Sequence, residues 1–397
     1  MQLLNRVLAE SMASSSWIRR MFEKGLELKK QFGADAVCDF SLGNPDVPPP
    51  NQIQTVLEGI AQHVIAPLSL GYCPNAGIPE VRSAMAQKIA KEQETSLSAN
   101  DIVMTVGAAG ALVSFFRAVI EPGDEVIVPS PYFVEYASYC GHFGGVLRPI
   151  PSLRPSFDLD LKGILSAINV STRVILLNSP NNPTGVIYPL ETLKKLADAI
   201  TEINATRERP ILIVSDEPYR VFAFDGVNVP PMLPLSPWTC VVGSFSKSLS
   251  MAGERVGYFV ANPQMPDQGK LIAAVTLTNR TLGFVNAPII GQRLAGNLTD
   301  AKVDLTIYNR RRLLMADVLK NAGLQFQTPQ GAFYFFIKSP VPNEDQFVNA
   351  LLDEKILVVP GKGFGAEGYV RLSYSIDEAI IERSRQGFKR AVEGLRS

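Results

Sequence analysis

Short apolar runs that alternate with helical stretches are the strongest constraint on the fold of this 397-residue chain. Between residues 51 and 290 the runs of strand length lie at 102–106, 125–128, 173–178, 210–215 and 240–244, and helical stretches lie at 109–120, 133–141 and 190–203. Buried strands that alternate with helices favour an α/β domain with a mainly parallel sheet. The run VGYFVA at 256–261 follows the preceding strand closely, and we expect it to pair antiparallel.

The regions on either side of this alternating segment have a different pattern. Residues 37–50, VCDFSLGNPDVPPP, contain a short strand and then a proline-rich connector that cannot enter a helix or a central strand. After residue 290, a charged helix is followed by strands and helices that are segregated along the chain. We therefore expect a large domain at 51–290 and a smaller α+β domain formed by 1–50 and 291–397.

The composition argues against several classes of partner and site. The 38 lysines and arginines balance the 38 aspartates and glutamates, so no net charge favours nucleic acid or an anionic membrane as partner. No apolar run reaches the roughly 18 residues of a membrane helix, and the first residues lack a signal-peptide pattern, so we expect a cytoplasmic protein. The four cysteines are scattered and the two histidines have no ligand-like neighbours, which predicts neither a disulfide framework nor a metal site.

Small or polar residues follow the carboxyl ends of several predicted strands, where open α/β sheets bind ligands. These segments are GAAG at 107–110, SPNNPTG at 179–185, DEPY at 216–219 and FSK at 245–247. The first is a strand-to-helix turn that exposes backbone N–H groups to an anion, and Ser244, Ser246 and Arg255 add further donors. Taken alone, the small residues of this turn are explained more simply by close packing of helix on sheet, because such turns are common.

Lys247 and Asp216 are charged residues at the ends of buried strands, where an unpaired charge is costly. Desolvation and a nearby cation lower the pKa of a lysine amine, which suits a nucleophile that forms a Schiff base. The buried carboxylate requires a cation, and a protonated ring nitrogen supplies one. Tyr219 and the amide of Asn182 are candidate donors to a ring oxygen. Pyridoxal phosphate combines the aldehyde, the phosphate, the pyridine nitrogen and the ring hydroxyl that these residues require.

Over nearly its whole length the chain resembles the class I/II aminotransferases, the fold-type I pyridoxal-phosphate enzymes. The motifs that carry the resemblance are LGNPD (42–46), GYCPNAGIPEVRSAM (71–85), PSPYFVEY (129–136), NSPNNPTG (178–185), SDEPY (215–219), SFSKSLSMAGERVG (244–257) and VRLSYS (370–375). The resemblance implies a large domain with a mainly parallel seven-stranded sheet flanked by helices, plus a smaller α+β domain. It also implies transfer of an amino group from an L-amino acid to a 2-oxo acid by a ping-pong mechanism.

The same resemblance implies a role for each matching residue. Lys247 forms the Schiff base with pyridoxal 5′-phosphate and then shuttles a proton, and Asp216 pairs with the pyridine nitrogen. The other cofactor contacts are Tyr219 and Asn182 at the ring oxygen, Ala108, Ala109, Ser244, Ser246 and Arg255 at the phosphate, and Phe133, with Tyr132 as its rival, stacked on the ring. Arg371 binds the substrate α-carboxylate with help from Gly43 and Asn182. Tyr72 reaches the phosphate of a neighbouring subunit, so a homodimer is implied.

The substrate and the reaction outcome stay open at this stage. A distal carboxylate on the substrate would need a second cation, for which Arg280, Arg19 and Arg20 are candidates, whereas Trp17, Phe133 or Phe364 would suit an apolar substrate. A pyridoxal-phosphate lyase of the same fold, such as a carbon–sulfur lyase or an aminocyclopropane-carboxylate-synthase-like enzyme, would use the same cofactor residues. A pyridoxal-phosphate-sensing module without enzyme activity is disfavoured, because nothing basic or helix-turn-helix-like precedes residue 40.

Overall fold

The computed structural model describes residues 3–4 and 17–396, without the side chains at 17–20 and 22. The candidate side chains of Trp17, Arg19 and Arg20 therefore lie outside the described residues. The strands are β1 (Cys38–Asp39), β2 (Ile102–Thr105), β3 (Glu125–Ser130), β4 (Val146–Pro151), β5 (Thr172–Asn178), β6 (Leu212–Asp216), β7 (Thr239–Ser244), β8 (Gly257–Ala261), β9 (Gln325–Phe326), β10 (Tyr334–Lys338), β11 (Ile356–Leu357), β12 (Val359–Pro360) and β13 (Tyr369–Ser373).

The described α-helices separate these strands along most of the chain. They are α1 (Trp17–Phe32), α2 (Gln52–His63), α3 (Pro79–Glu92), α4 (Gly107–Val119), α5 (Tyr136–Gly141), α6 (Leu161–Ala167), α7 (Leu190–Asn204), α8 (Phe245–Ser248), α9 (Gln268–Thr281), α10 (Ile289–Asn297), α11 (Leu305–Asn321), α12 (Glu344–Asp353) and α13 (Glu378–Arg396). No described helix has both the length and the apolar character that a membrane crossing requires.

The chain forms two compact units. The small unit consists of residues up to Gly43 together with Thr306–Pro329 and Phe333–Ser397, and the large unit consists of Asn44–Leu305 and Gln330–Ala332. These boundaries differ from the expected ones at 50/51 and 290/291. Helix α10 stays with the large unit because Leu294 and Leu298 are buried in the same apolar core as Val81 of α3.

The large unit is built on a seven-stranded sheet with the order β2-β8-β7-β6-β5-β3-β4. Six strands are parallel, and β8 runs antiparallel to both of its neighbours. The expectations of a mainly parallel seven-stranded sheet and of an antiparallel strand at 256–261 are thereby confirmed. Strand β4 is not apparent from the sequence, because it lies at an edge, is largely exposed and contains two prolines.

Two apolar cores cover the two faces of this sheet. Ile213 of β6 belongs to the core that includes residues of α3, α7 and α10, whereas Val214 belongs to the core that includes residues of α4 and α9. Successive residues of a strand point to opposite faces. The same alternation directs the side chains of Asp216 and Glu217, at the end of β6, to opposite sides of the sheet.

The small unit contains an antiparallel sheet with the order β12-β13-β10-β9 and a parallel pair, β1 with β11. The continuous apolar run ILVVPG (356–361) does not form one strand, because it is divided between β11 and β12, which belong to different sheets. Arg371 lies on β13 between Phe336 of β10 and Val359 of β12. The fold therefore holds this cation on a strand that is paired on both sides.

Candidate active site

Neighbouring strand ends bring the predicted cofactor-binding segments of the large unit to one edge of the sheet. Strand β5 ends at Asn178, which pairs with Asp216 at the end of β6. Ser244, at the end of β7, pairs with Gly257, and Gly257 also pairs with Thr105 at the end of β2. The segments that follow these strands carry the candidate residues Ala108, Ala109, Asn182, Tyr219 and Lys247. Because parallel strands end at the same edge, the topology gathers these segments there.

Asp216 is a buried carboxylate with one oxygen engaged. The residue is 5% exposed, and its Oδ2 accepts a hydrogen bond of 2.5 Å from the Tyr136 hydroxyl. Its Oδ1 is buried without a hydrogen-bond partner among the described residues. Burial raises the pKa of Asp216 to about 7, the Tyr136 hydrogen bond opposes this rise, and the Glu217 charge adds to it. This oxygen fits a ligand that presents a cationic N–H group.

Tyr136 is a site residue whose role is not apparent from the sequence. Its hydroxyl donates to Asp216, and its ring contacts Phe133 edge-on with centroids 5.5 Å apart. Burial, Asp216 and Tyr219 raise the pKa of Tyr136 well above its usual value, so the hydroxyl stays protonated. The sequence contains one indication of this role, because Tyr136 lies three residues after the candidate stacking residue Phe133, in a segment that follows the buried strand β3.

Asn178 is a second such residue and connects two neighbouring strand ends. Its Nδ2 donates to the Asp216 carbonyl at 2.8 Å, and its Oδ1 accepts from the Asn182 N–H at 2.7 Å. Asn178 and Asn182 are both buried. The side chain of Asn178 therefore fixes the segment that carries Asn182 relative to β6. Tyr219 is buried in the turn after β6 and lies close enough to Tyr136 to raise its pKa.

The start of α4 lies against the start of β8. A Cβ atom at Gly257 would come 2.5 Å from the Gly107 carbonyl carbon, so this approach requires glycine. Arg255, in the left-handed region with φ of 51°, donates from Nη1 to the Ala252 carbonyl at 3.0 Å. Its Nη2 is the atom nearest to a Cβ built on Gly107, at 2.8 Å. A cation beside the first residues of a helix suits an anion such as phosphate.

Tyr139 lies within electrostatic range of both Arg255 and Asp216. Its pKa is raised by burial, by the Glu135 charge and by the Asp216 charge, and it is lowered by the Arg255 charge. The anion-binding features and the buried carboxylate are therefore near one side chain. Ser244 is buried at the end of β7, Ser246 is buried on α8, and Lys247 is half-buried on α8.

The remaining large-unit candidates occupy different environments. Tyr132 and Phe133 are both partly buried against the core, and Phe133 is the one whose ring contacts Tyr136. Tyr72 is 94% exposed in the connection between α2 and α3. Arg280, also exposed, donates from Nη1 to the Asn75 side chain at 3.2 Å, three residues after Tyr72. Tyr72 and Arg280 thus lie on connected surface segments.

The two candidate substrate-binding residues of the small unit lie together. Arg371 is 2% exposed, and its Nη2 donates to the Ser41 carbonyl at 2.6 Å. Its Cζ lies 4.7 Å from the ring centre of Tyr334 and 4.8 Å from that of Phe364. A Cβ on Gly43 would collide with the Tyr334 hydroxyl, so this position requires glycine. Tyr334 therefore contacts both candidates, a role that is not apparent from the sequence.

Comparison with known proteins identifies the family. The profile described as "Aminotransferase class I and II" matches residues 35–386. The aspartate/prephenate aminotransferase of Thermus thermophilus is 33% identical over 376 residues, which cover 93% of this chain and 94% of that protein. An aminotransferase crystal structure from Eubacterium rectale superposes with a TM-score of 0.94 at 35% identity and full coverage of both chains.

A further solved structure agrees with these matches. The Thermus thermophilus aspartate aminotransferase with maleate has a TM-score of 0.84 at 30% identity, and the match covers 98% of this chain and 100% of that one. None of these relatives favours the lyase alternative. The chain belongs to the class I and II aminotransferase family, whose members use pyridoxal phosphate, and it is an aminotransferase.

Proposed function

We propose that this aminotransferase binds pyridoxal 5′-phosphate at the described edge of the large-unit sheet and holds it covalently through Lys247 Nζ. The observation that carries the proposal is the buried Asp216 carboxylate, whose Oδ1 has no hydrogen-bond partner among the described residues. A buried carboxylate oxygen is stabilised by a cationic donor, and the protonated pyridine nitrogen is one. The residues present therefore fit the cofactor that the family uses.

The phosphate end of the cofactor fits the start of α4. There the backbone N–H groups of Ala108 and Ala109 belong to the first turn, whose N–H groups lack helical partners. The Arg255 guanidinium adds a charge-assisted donor, and Ser244 and Ser246 add hydroxyl groups. These contacts hold the cofactor while its covalent link to the protein is broken.

The ring end of the cofactor fits Asp216 and its neighbours. We assign Asn182 and Tyr219 to the ring oxygen and Phe133 to stacking on the ring, since its own ring is fixed by Tyr136. Tyr136 donates to Oδ2 of Asp216 and so leaves Oδ1 as the oxygen that would pair with the ring nitrogen. Asp216 then keeps that nitrogen protonated.

The bound cofactor supplies an electron sink that acidifies the substrate α-proton. Lys247 Nζ would accept this proton from the substrate Cα and pass it to the cofactor, and it would carry a proton back to Cα in the second half-reaction, as a positioned general base and acid. Arg371, Gly43 and Asn182 bind the α-carboxylate in the role that the resemblance implies. The first half-reaction ends with release of a 2-oxo acid, and the second takes up another 2-oxo acid and releases the corresponding amino acid, which gives ping-pong kinetics.

We propose a dicarboxylic amino acid such as aspartate as the amino donor. The proposal is supported by relatives named aspartate/prephenate and aspartate aminotransferases and by the maleate of one structural relative. Arg280 is the described candidate for the distal carboxylate. Its hydrogen bond to Asn75 ties it to the segment that carries Tyr72, which supports the proposal that both residues serve the same site.

We further propose a homodimer in which Tyr72 contacts the cofactor phosphate of the partner subunit. Three fully exposed apolar or aromatic side chains, Ile65, Leu68 and Tyr72, lie within eight residues of one connection, and such a patch favours an interface. The two compact units are proposed to be the cofactor-binding and small domains of this enzyme. A cytoplasmic location stays a prediction from the sequence.

The covalent site is tested by reducing the purified holoenzyme with borohydride and mapping the modified peptide. We expect the label on Lys247; a colourless protein, or a label elsewhere, would refute the assignment.

The amino donor is tested by adding each amino acid to the unreduced enzyme while the cofactor absorbance is followed. Aspartate should convert the cofactor fastest, and Arg280→Ala should slow aspartate far more than alanine. A variant that slows both equally would count against the role of Arg280.

A further inference from the structure

Arg371 lies against the aromatic rings of Tyr334 and Phe364. We propose that Tyr334 is a positioning residue that orients the Arg371 guanidinium for the substrate carboxylate, and that Phe364 assists it from a second ring. This inference rests on the proposed carboxylate role of Arg371. It assigns a role in substrate binding to two residues that the cofactor chemistry does not require.

The contacts of Arg371 restrict how its guanidinium can lie. Cζ lies over the Tyr334 ring at 4.7 Å and over the Phe364 ring at 4.8 Å, distances typical of cation–π contacts. Its Nη2 is held by the Ser41 carbonyl at 2.6 Å. A long arginine side chain otherwise loses considerable rotamer entropy on binding a ligand. Rings that hold the planar group in advance reduce that loss, and carboxylate recognition depends on the orientation of this plane.

Tyr334 also contacts the backbone that carries Gly43. Its hydroxyl occupies the space that a Cβ of Gly43 would need, while Ser41, two residues earlier, accepts the hydrogen bond from Arg371. The backbone at Ser41 is itself fixed, because Asp39 Oδ1 accepts from the Ser41 N–H and the Ser41 hydroxyl at 3.2 and 2.6 Å. The segment 41–43 therefore touches Arg371 directly and also through Tyr334.

The simplest alternative is that Tyr334 and Phe364 are ordinary core residues. Both are buried, and Phe364 also contacts Phe336 edge-on. A core residue affects folding and every substrate alike, whereas a positioning residue affects substrates that carry the carboxylate. Phe326 provides a matched control, since it is a ring of the same sheet that packs edge-on against Phe335.

The experiment is a single-turnover assay on purified holoenzyme, with cofactor absorbance as the signal. Each variant is assayed with the best amino acid and with the corresponding amine that lacks the α-carboxylate. The quantity compared between variants is the second-order rate constant for the amino acid divided by that for the amine. Tyr334→Leu should lower this ratio roughly tenfold and Phe364→Leu about threefold, as expected for lost cation–π contacts. Tyr334→Phe keeps the ring and should restore most of the ratio, and Phe326→Leu should leave it unchanged.

Arg371→Lys separates failure of the inference from failure of the proposed function. If Arg371→Lys leaves the ratio unchanged, the carboxylate role of Arg371 is wrong. If Arg371→Lys abolishes the preference while Tyr334→Leu and Phe364→Leu retain it, only the positioning role is overturned. The double variant Arg371→Lys/Tyr334→Leu should be no worse than Arg371→Lys alone, because Tyr334 acts through Arg371; additive losses would contradict this. Should Tyr334→Leu not fold, Phe364→Leu carries the same test.

Discussion

Asp216 and Glu217 are consecutive buried carboxylates at the end of one strand, and they differ in what surrounds them. Glu217 is 3% exposed, and both of its oxygens are engaged. Oε1 accepts from the Ser215 hydroxyl at 2.8 Å, and Oε2 accepts from Gln93 at 2.9 Å and from Arg220 at 2.8 Å. Asp216 accepts from Tyr136 alone at its side chain, and its second oxygen has no partner in the described chain.

The difference distinguishes a structural carboxylate from one available to a ligand. Burial raises the pKa of both groups, but the Arg220 charge opposes the rise for Glu217. The protein thus supplies the counterion of Glu217 on one face of the sheet, and on the other face the proposed cofactor would supply the counterion of Asp216. The motif DEPY contains two acids, and only the alternation of side chains along β6 shows which one faces each core.

The largest expected effect is the loss of activity in Asp216→Ala. Without the buried anion, nothing keeps the ring nitrogen protonated, and we expect turnover to fall by roughly 10⁴-fold, equivalent to more than about 5 kcal/mol. The cofactor should still bind, because Lys247 and the phosphate contacts remain. Steady-state transamination and the absorbance of the bound cofactor measure the two properties. Near-normal turnover of Asp216→Ala would mean that the Asp216 carboxylate is not required for catalysis.

Breaking the structural ion pair should cost stability rather than chemistry. Arg220→Met leaves Glu217 buried without its counterion, so the free energy of unfolding should fall by about 3–5 kcal/mol. The double variant Glu217→Gln/Arg220→Met should recover much of this loss. Urea unfolding measures both variants, and turnover per folded enzyme should change far less than in Asp216→Ala. If folded Arg220→Met is as inactive as Asp216→Ala, Glu217 is not a purely structural carboxylate, and the distinction between it and Asp216 is wrong.

The stability of the cofactor-free protein should depend on pH through Asp216. Its pKa is about 7 in the folded chain against an ordinary value of 3.8, so between these values the folded state binds more protons than the unfolded state. Stability therefore falls as the pH rises from about 4 to about 7. Asp216→Asn stays neutral and should remove up to about 4 kcal/mol of that loss. Glu217 acts in the same direction, so the test is the difference between parent and Asp216→Asn unfolding at pH 5 and pH 8.

The smallest effect is expected for Tyr136→Phe. The variant keeps the ring that contacts Phe133 and removes one hydrogen bond to the carboxylate, so turnover should fall roughly tenfold. Tyr139→Phe is the control, since Tyr139 lies near the same charges and Asp216 accepts its hydrogen bond from Tyr136 instead. Equal losses in both variants would mean that the hydroxyl of Tyr136 has no special role.

The sequence predicts the segments of the site better than the contacts within it. The place of these segments could be predicted because parallel strands end at one edge of the sheet. Asp216 ends β6, and Lys247, expected at a strand end, lies on the short helix α8 that directly follows β7. The roles of Tyr136, Asn178 and Tyr334 could not be predicted. Their contacts with Asp216 or Arg371 join residues that are far apart in the sequence and depend on tertiary packing. The large unit extends to Leu305 and not to the expected residue 290 for the same reason, because only the packed core shows that α10 belongs with Val81 of α3.

The prolines of the edge strand β4 limit how copies of this protein can associate. Val146 and Ser152 donate their N–H groups to the Asp124 and Ser130 carbonyls, towards β3. Successive N–H groups of a strand point to opposite sides, so positions 147, 149 and 151 face outwards. Pro149 and Pro151 have no N–H to offer there. An additional strand would find one donor in three along this margin, which protects the sheet from edge-to-edge aggregation.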